Sequence, residues 1–320
     1  MEIHIAGKHL ISEVTTALDV SGREHLVVVV KSAWRIPQPG QRSRPIMPAP
    51  LVQADEFHGE PGLSAMRYGS DLARFKPRCD VIFDACAHAP QGQPVKKMKV
   101  SFKVGKLEKS LLVMGPRYWR KTLGMTRLSS PEPFVQMPLH FGLAYGGTRS
   151  YQQGRGDKAV TLSESLLANP VGLGWLGPKT RKEVDELPAP CLQAADEVVR
   201  KAGGKYRPVA FSAVARHWEP RSRYVGTYDA HWEKEVCPFL PEDFDEQYHQ
   251  CAPEDQQMPY PKGGEEVVLR NMMAGREEVR FKLPRLDLLK VRILRKDYST
   301  ESPEAVVDTL YFEPEEARFS

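Results

Sequence analysis

Strict alternation of apolar and polar residues and a surplus of proline without period are the first two signs of a mainly β protein. The third is the lack of amphipathic helices between strand-like runs, which argues against βαβ units. Together they predict antiparallel, sandwich-like sheets with long ordered Pro/Gly/aromatic loops and a few short helices. The 320 residues suffice to bury a core without staples. The AVILMFWYC set makes 41% and charged residues 27%, a globular balance rather than a disordered one. There are 27 prolines, where average usage gives roughly 16, so many short elements separated by ordered turns are expected.

In chain order, His25 to Trp34 is the first strand, and its Val27 to Val30 run, apolar on both faces, predicts a central position. Cys79 to Ala85 follows. In VKKMKVSFKV, Met98, Val100, Phe102 and Val104 alternate with Lys97, Lys99, Ser101 and Lys103; Gly105-Lys106 turns the chain, and LEKSLLVMG returns. The lysines read as the wet face of an edge hairpin, where they also block pairing. Glu266 to Asn271 precedes EEVRFKLP, whose Val279, Phe281 and Leu283 share one face. Leu289, Val291 and Ile293 form a further apolar set, and Val306 to Phe312 is the last strand. Helical signal is confined to Ser163 to Ala168, ahead of Pro170, and Cys191 to Lys201, ahead of Gly203-Gly204.

From Ser129 to Pro261 the chain is dense in Pro, Gly and aromatics, an ordered loop region packed by Phe134, Phe141, Tyr145, Trp175, Trp218, Tyr228 and Trp232. The organisation is therefore an N-terminal β part (1–128), a loop-rich aromatic centre (129–261) and a C-terminal β part (262–320), in one compact unit.

No basic segment followed by an apolar one opens the sequence, and the longest apolar run, Leu26 to Val30, is strand-sized. No stable membrane insertion is expected. Five cysteines at wide spacings do not make a disulfide scaffold and suit a reducing cytoplasm. A net charge of +4 without a concentrated basic stripe points away from nucleic acid. The segment from Glu242 to Asp255 carries six acids; it suits either a basic partner surface or the protein's own lysines.

Gly172, Gly174 and Gly177 match GxGxxG, and Lys179-Thr180 nearly completes a phosphate loop. Both fail on context: Asn169-Pro170 rather than a strand precedes them, and Pro178 interrupts the step to Lys179. The glycines instead suit tight turns around a buried indole. Asp229, His231, Cys237, His249 and Cys251 match no metal-ligand spacing. No GxSxG or recognised cysteine context accompanies the nine histidines. No catalytic residue, metal or cofactor is assigned.

Loops rich in Trp, Tyr and Arg suit protein recognition. Arg117 and Trp119 follow the hairpin; Trp218, Arg221, Arg223, Tyr224 and Trp232 lie in the centre. These seven are the candidate protein-binding residues. The competing reading makes them internal glue, arginine stacked on aromatic rings between loops. Indoles on a β scaffold also admit a carbohydrate- or peptidoglycan-binding module, which needs them exposed. An uncharacterised hydrolase is the remaining alternative.

The strings DLARFKPRCDVIFDACAHAP, KVSFKVGKLEKSLLVMGPRYW, PFVQMPLHFGLAYGG, NPVGLGW, HWEPRSRYVGTYDAHWEKEVCPFLPEDFDEQYHQCAPEDQQ and FKLP, in that order, resemble the bacterial family called domain of unknown function 2169. Asp71, Leu72, Lys76 and Asp80 stand in its pattern, as do Met137-Pro138-Leu139 and Gly146-Gly147. The resemblance implies an adaptor or chaperone of type VI secretion, with an effector toxin, a PAAR-type tip protein and the spike protein as partners. It carries over no catalytic residue. After VVDTLYFEP the chain stops sooner than the family pattern, which predicts an uncovered sheet edge at Val306 to Phe312 for a partner strand.

Overall fold

The computed structural model describes residues 7–320 except 155, 183, 185, 287 and 288. The strands that build its main layers are β1 (Leu10–Leu18), β2 (Glu24–Arg35), β3 (Cys79–Phe83), β4 (Lys97–Val104), β5 (Leu107–Met114), β6 (Leu192–Ala194), β7 (Gln257–Met258), β8 (Glu266–Met273), β9 (Arg276–Lys282), β10 (Thr309–Glu313) and β11 (Arg318–Phe319). The fold is mainly β, with multiple antiparallel sheets and short helices such as Glu219–Ser222.

One sheet runs β1-β2-β11-β10-β3-β7, with β10 and β3 parallel and the other neighbours antiparallel. The second runs β6-β5-β4-β8-β9, antiparallel throughout. The sheets meet on aromatic rings. Phe83 of β3 lies 4.6 Å from Phe102 of β4 and 4.9 Å from Phe312 of β10, and Phe281 of β9 lies 5.4 Å from Phe319 of β11, measured between ring centroids. Offset and tilted ring pairs of this kind add to the area they bury. Each sheet combines strands from the first 128 residues, the centre and the last 59, so the three stretches share one core.

The alternating segments fold as their pattern dictates. In β4, Met98, Val100, Phe102 and Val104 are buried while Lys97 and Lys99 face water. Val104 opposes Leu107 across Gly105, which takes φ +58°, a conformation suited to glycine. The hairpin is not an edge, however: β8 pairs with β4 on its other side. Val279, Phe281 and Leu283 are buried as their alternation requires.

Other expectations fail for identifiable reasons. Ser163 to Ala168 is not helical; Val160–Ser165 pairs as a strand with Thr148–Gln153, aided by Ser150–Ser163 and Thr148–Ser165 hydroxyl contacts. Cys191 to Lys201 is not helical either. Leu192, Gln193 and Ala194 are consecutively buried, which a one-sided helix cannot do, and they extend the sheet beside β5. The Val27 to Val30 run is not central: β11 meets β2 only at Trp34 and Arg35, so among the described residues most of β1 and β2 forms a two-stranded arm beyond the seam. The Val306 to Phe312 edge is covered, because β10 lies between β3 and β11. Only Ile293–Leu294 of the Leu289, Val291, Ile293 set is strand.

Candidate functional site

The arm walls a broad concavity. Leu10, Val14, Leu26, Val28 and Val30 occupy even positions and therefore one face of the ribbon, and they line a groove of about 1300 Å³. Residues 285–286, 289–294 and 306–310 also line the groove, with Leu286, Leu289, Val291, Ile293, Leu294 and Val307 among them. Val27 to Val30 thus serves both faces of a ribbon wall, which is why its double apolarity resembled that of a central strand.

A buried polar network closes the floor. Lys76, also on the groove lining, places Nζ 3.1 Å from Asp80 Oδ2 and donates to Thr309 Oγ1 at 2.7 Å. Asp80 accepts from Gln250 Nε2 at 2.6 Å and from the backbone N–H groups of Cys251 and Ala252 at 2.7 and 3.1 Å. Tyr260 adds a hydroxyl hydrogen bond to the Lys76 carbonyl. Burial disfavours the Lys76 charge, but the Asp80 carboxylate outweighs it and holds the ammonium above its usual range. The pattern residues Lys76 and Asp80 thereby clamp residues 250–252 and β10 onto β3. Asp71 performs similar work at the rim, taking Lys31 Nζ at 2.9 Å and Val52 N–H at 2.8 Å. Glu313 there receives both arms of Arg318, at 2.7 and 2.8 Å, and the Tyr68 hydroxyl. Lys290 and Arg292 stand exposed along the outer wall without an ion pair among the described residues, so the apolar groove has a basic lip.

The seven candidate binding residues divide. Trp119 and Trp218 are each 1% exposed, and Arg117 and Arg221 each 5%; these four are buried within the chain, as the internal-glue reading expects. Arg221 donates to the carbonyls of Val214 and Tyr248, from Nη1 at 2.9 Å and from Nη2 at 2.8 Å, tying two loops together. Arg117 donates to the Pro190 carbonyl at 3.3 Å. Trp218 meets Phe141 edge-on, and Trp119 anchors a small separate core with Leu176, Val184 and Leu187. Arg223, Tyr224 and Trp232 remain at the surface. Arg223 stacks over the Tyr224 ring, 4.7 Å from its centroid, and Trp232 packs on the exposed Tyr228. The structure does not bring any of the seven into the groove. Trp34, Trp175 and Trp232 are half-buried, so no indole offers the open platform that a sugar-binding reading requires.

The glycine motif has a physical explanation. Glu164 fills the loop where a phosphate would sit, accepting from Lys179 N–H, Thr180 N–H and the Thr180 hydroxyl at 3.2, 2.8 and 2.6 Å. A Cβ on Gly177 would fall 2.2 Å from the Glu164 carboxyl carbon, and one on Gly174 would meet the Trp119 ring at 3.0 Å. The buried indole beside the glycines is thus Trp119 rather than Trp175.

A smaller cleft holds Asp55, which takes both arms of Arg216 at 2.7 and 2.8 Å beside Phe57 and His217. Next to Phe57 in the chain, His58 packs on His140 with ring centroids 4.5 Å apart. Burial, then the His58 charge, lowers His140 to about 4, so it is neutral near pH 7. Its Nδ1 accepts from Gly142 N–H at 3.1 Å, a structural task. Among the described residues no three His, Cys, Asp or Glu side chains gather as a metal site. Burial raises the Cys86 and Cys191 thiols to about 11, which leaves them poor nucleophiles. No described helix is long and apolar enough to cross a membrane. Half of the acidic segment is consumed internally: Asp255 pairs with Lys109, Glu246 with Arg74 and Glu254 with Arg223.

What emerges is a β-sandwich protein with an apolar, cation-lipped groove beside its β1–β2 arm. The chain belongs to the family described as an uncharacterized protein conserved in bacteria, domain of unknown function 2169, whose model matches residues 21–320. No curated protein and no solved structure matches it.

Proposed function

We propose that the protein is a non-enzymatic, cytoplasmic adaptor of type VI secretion. It holds an extended segment of an effector toxin or PAAR-type tip protein and presents it to the spike. The observation that carries this reading is the groove of about 1300 Å³ between the β1–β2 arm and residues 289–294, apolar inside and lipped by Lys290 and Arg292. Such a surface suits a segment in which apolar residues alternate with Asp or Glu: the apolar side chains would leave water and the acids would meet the lip. Stoichiometric holding needs no turnover, and the high thiol pKa values and internally satisfied carboxylates agree with that.

The test is co-expression with a type VI effector and a PAAR protein from the same genome, followed by size-exclusion chromatography of the complex. Leu26→Asp and Leu294→Asp alter exposed groove residues and should abolish co-elution while leaving the melting temperature unchanged. Lys290→Glu with Arg292→Glu should weaken binding about tenfold or more, most strongly at low salt. Normal effector loading in a strain lacking the protein would overturn the proposal.

A further inference from the structure

The two sides of the groove are lined in different ways. β1 contributes alternate residues, Leu10, Ser12 and Val14, as a sheet face does. β2 contributes the unbroken run 28–34, and the approach to β10 contributes 306–311, as backbone edges do. Hydrogen-bond parity agrees. Arg35 N–H donates to the Arg44 carbonyl on the β1 side of β2, whereas Ile36 N–H donates to Ala317 on the β11 side. Alternation along the unbroken register then turns the N–H and C=O groups of Leu26, Val28, Val30 and Ser32 away from β1 and into the groove. Across it, the Asp308 and Phe312 carbonyls accept from Asp80 and Asp84 on the β3 side. Thr309 and Tyr311 therefore turn their backbone groups the other way, and Tyr311 exchanges two hydrogen bonds with Ser320. At this end β11 lies between the two edges, Phe319 beside Trp34 and Phe312. The edges thus stand two strand spacings apart there, about 10 Å, with room for one strand between them.

We infer that the groove takes its cargo by strand addition: an extended segment enters in line with β11, antiparallel to β2, and joins the arm to the sandwich as one sheet. This rests on the adaptor reading and specifies how the cargo is held. Continuing the register of Trp34 with Phe319, the first residue of the segment faces Ser32, the third Val30, the fifth Val28 and the seventh Leu26. Its odd positions share the face of Leu10, Val14, Val28 and Val30 and are apolar. Acids elsewhere in the segment meet the Lys290 and Arg292 lip. With the cargo seated, β2 becomes an inner strand, the position that a run apolar on both faces, Val27 to Val30, suits.

The experiment has a cargo-free arm and a cargo arm. In the first, the full chain is extended past Ser320 by Val-Thr-Val-Thr-Val-Thr-Val, which the geometry feeds into the groove. The melting temperature should rise. Amide exchange followed by NMR should slow about tenfold or more at Leu26, Val28, Val30 and Ser32, and stay unchanged at Val27, Val29 and Lys31, which bond to β1. The same extension with proline at its first, third and fifth positions should do neither. Fast exchange of the even set in the extended chain would overturn the inference. In the second arm, the same amides are followed in the complex with a co-expressed PAAR protein from the same genome. Protection of the even set supports the inference. Co-elution with those amides still fast would overturn strand addition and leave the adaptor reading standing. Protection by the extension without co-elution would overturn cargo as the occupant. An even set already protected in the chain alone would assign the groove to the chain's own residues and overturn the inference.

Discussion

Asp80 is fully buried, and its carboxylate satisfies three N–H donors and an ammonium. Removing one partner of such a group strands the rest, at a cost of about 3–5 kcal/mol. Asp80→Ala should therefore lower unfolding free energy by about that amount in urea titrations, and Lys76→Met should do likewise. His249 sets a pH dependence. Burial, then Arg221 and Lys76, lowers it to about 4, against about 6.5 when unfolded. Its contribution is thus present above pH 6.5 and lost as pH falls through 4. The melting temperature should decline across that window, and His249→Gln should flatten the decline. At this scale the sequence displayed residue types but not their surroundings. Arg117, Trp119, Trp218 and Arg221 have the chemistry of interface anchors. Whether an arginine meets a partner or the carbonyls of Val214 and Tyr248 depends on loops that meet only in three dimensions.

Elements with period-two patterning over a Gly turn were legible because local burial and local geometry agreed, as in β4 and β5. Elements decided by distant partners were not. Leu192–Ala194 is a strand because β5 offers an edge. The groove was visible only as two unrelated apolar sets, Val27 to Val30 and Leu289 to Ile293, with nothing to say that they face each other. Glu164 gave no signal, although it fixes the Thr148–Gln153 and Val160–Ser165 hairpin to the Gly177 loop. Glu164→Ala should free that hairpin, and tryptic cleavage after Lys158 should accelerate with little change in the global melting temperature. Unchanged cleavage would show that the carboxylate does not hold it.

The two sheets meet through Phe83, Phe102, Phe312 and Phe319. Phe312→Ala should cost about 3–5 kcal/mol, measured by chemical denaturation, because the hole opens at the junction of both layers. A smaller loss would mean that the layers slide together to fill it. The fold class could be read from alternation, whereas strand order could not, since parallel pairing of β10 with β3 joins Thr309 to Asp80 across most of the chain.

That ladder also bears on the order of assembly. Loop closure over so long a span is slow relative to local hairpins. The β1–β2 arm can zip by itself around the Asp19–Gly22 turn. Its seam to the rest, at Trp34 and Phe319, exists only once β10 and β11 have inserted beside β3. During synthesis the arm would therefore wait for the final strands to arrive. Amide protection in pulse-labelled chains should appear first in β1 and β2, and in β3, β10 and β11 together afterwards.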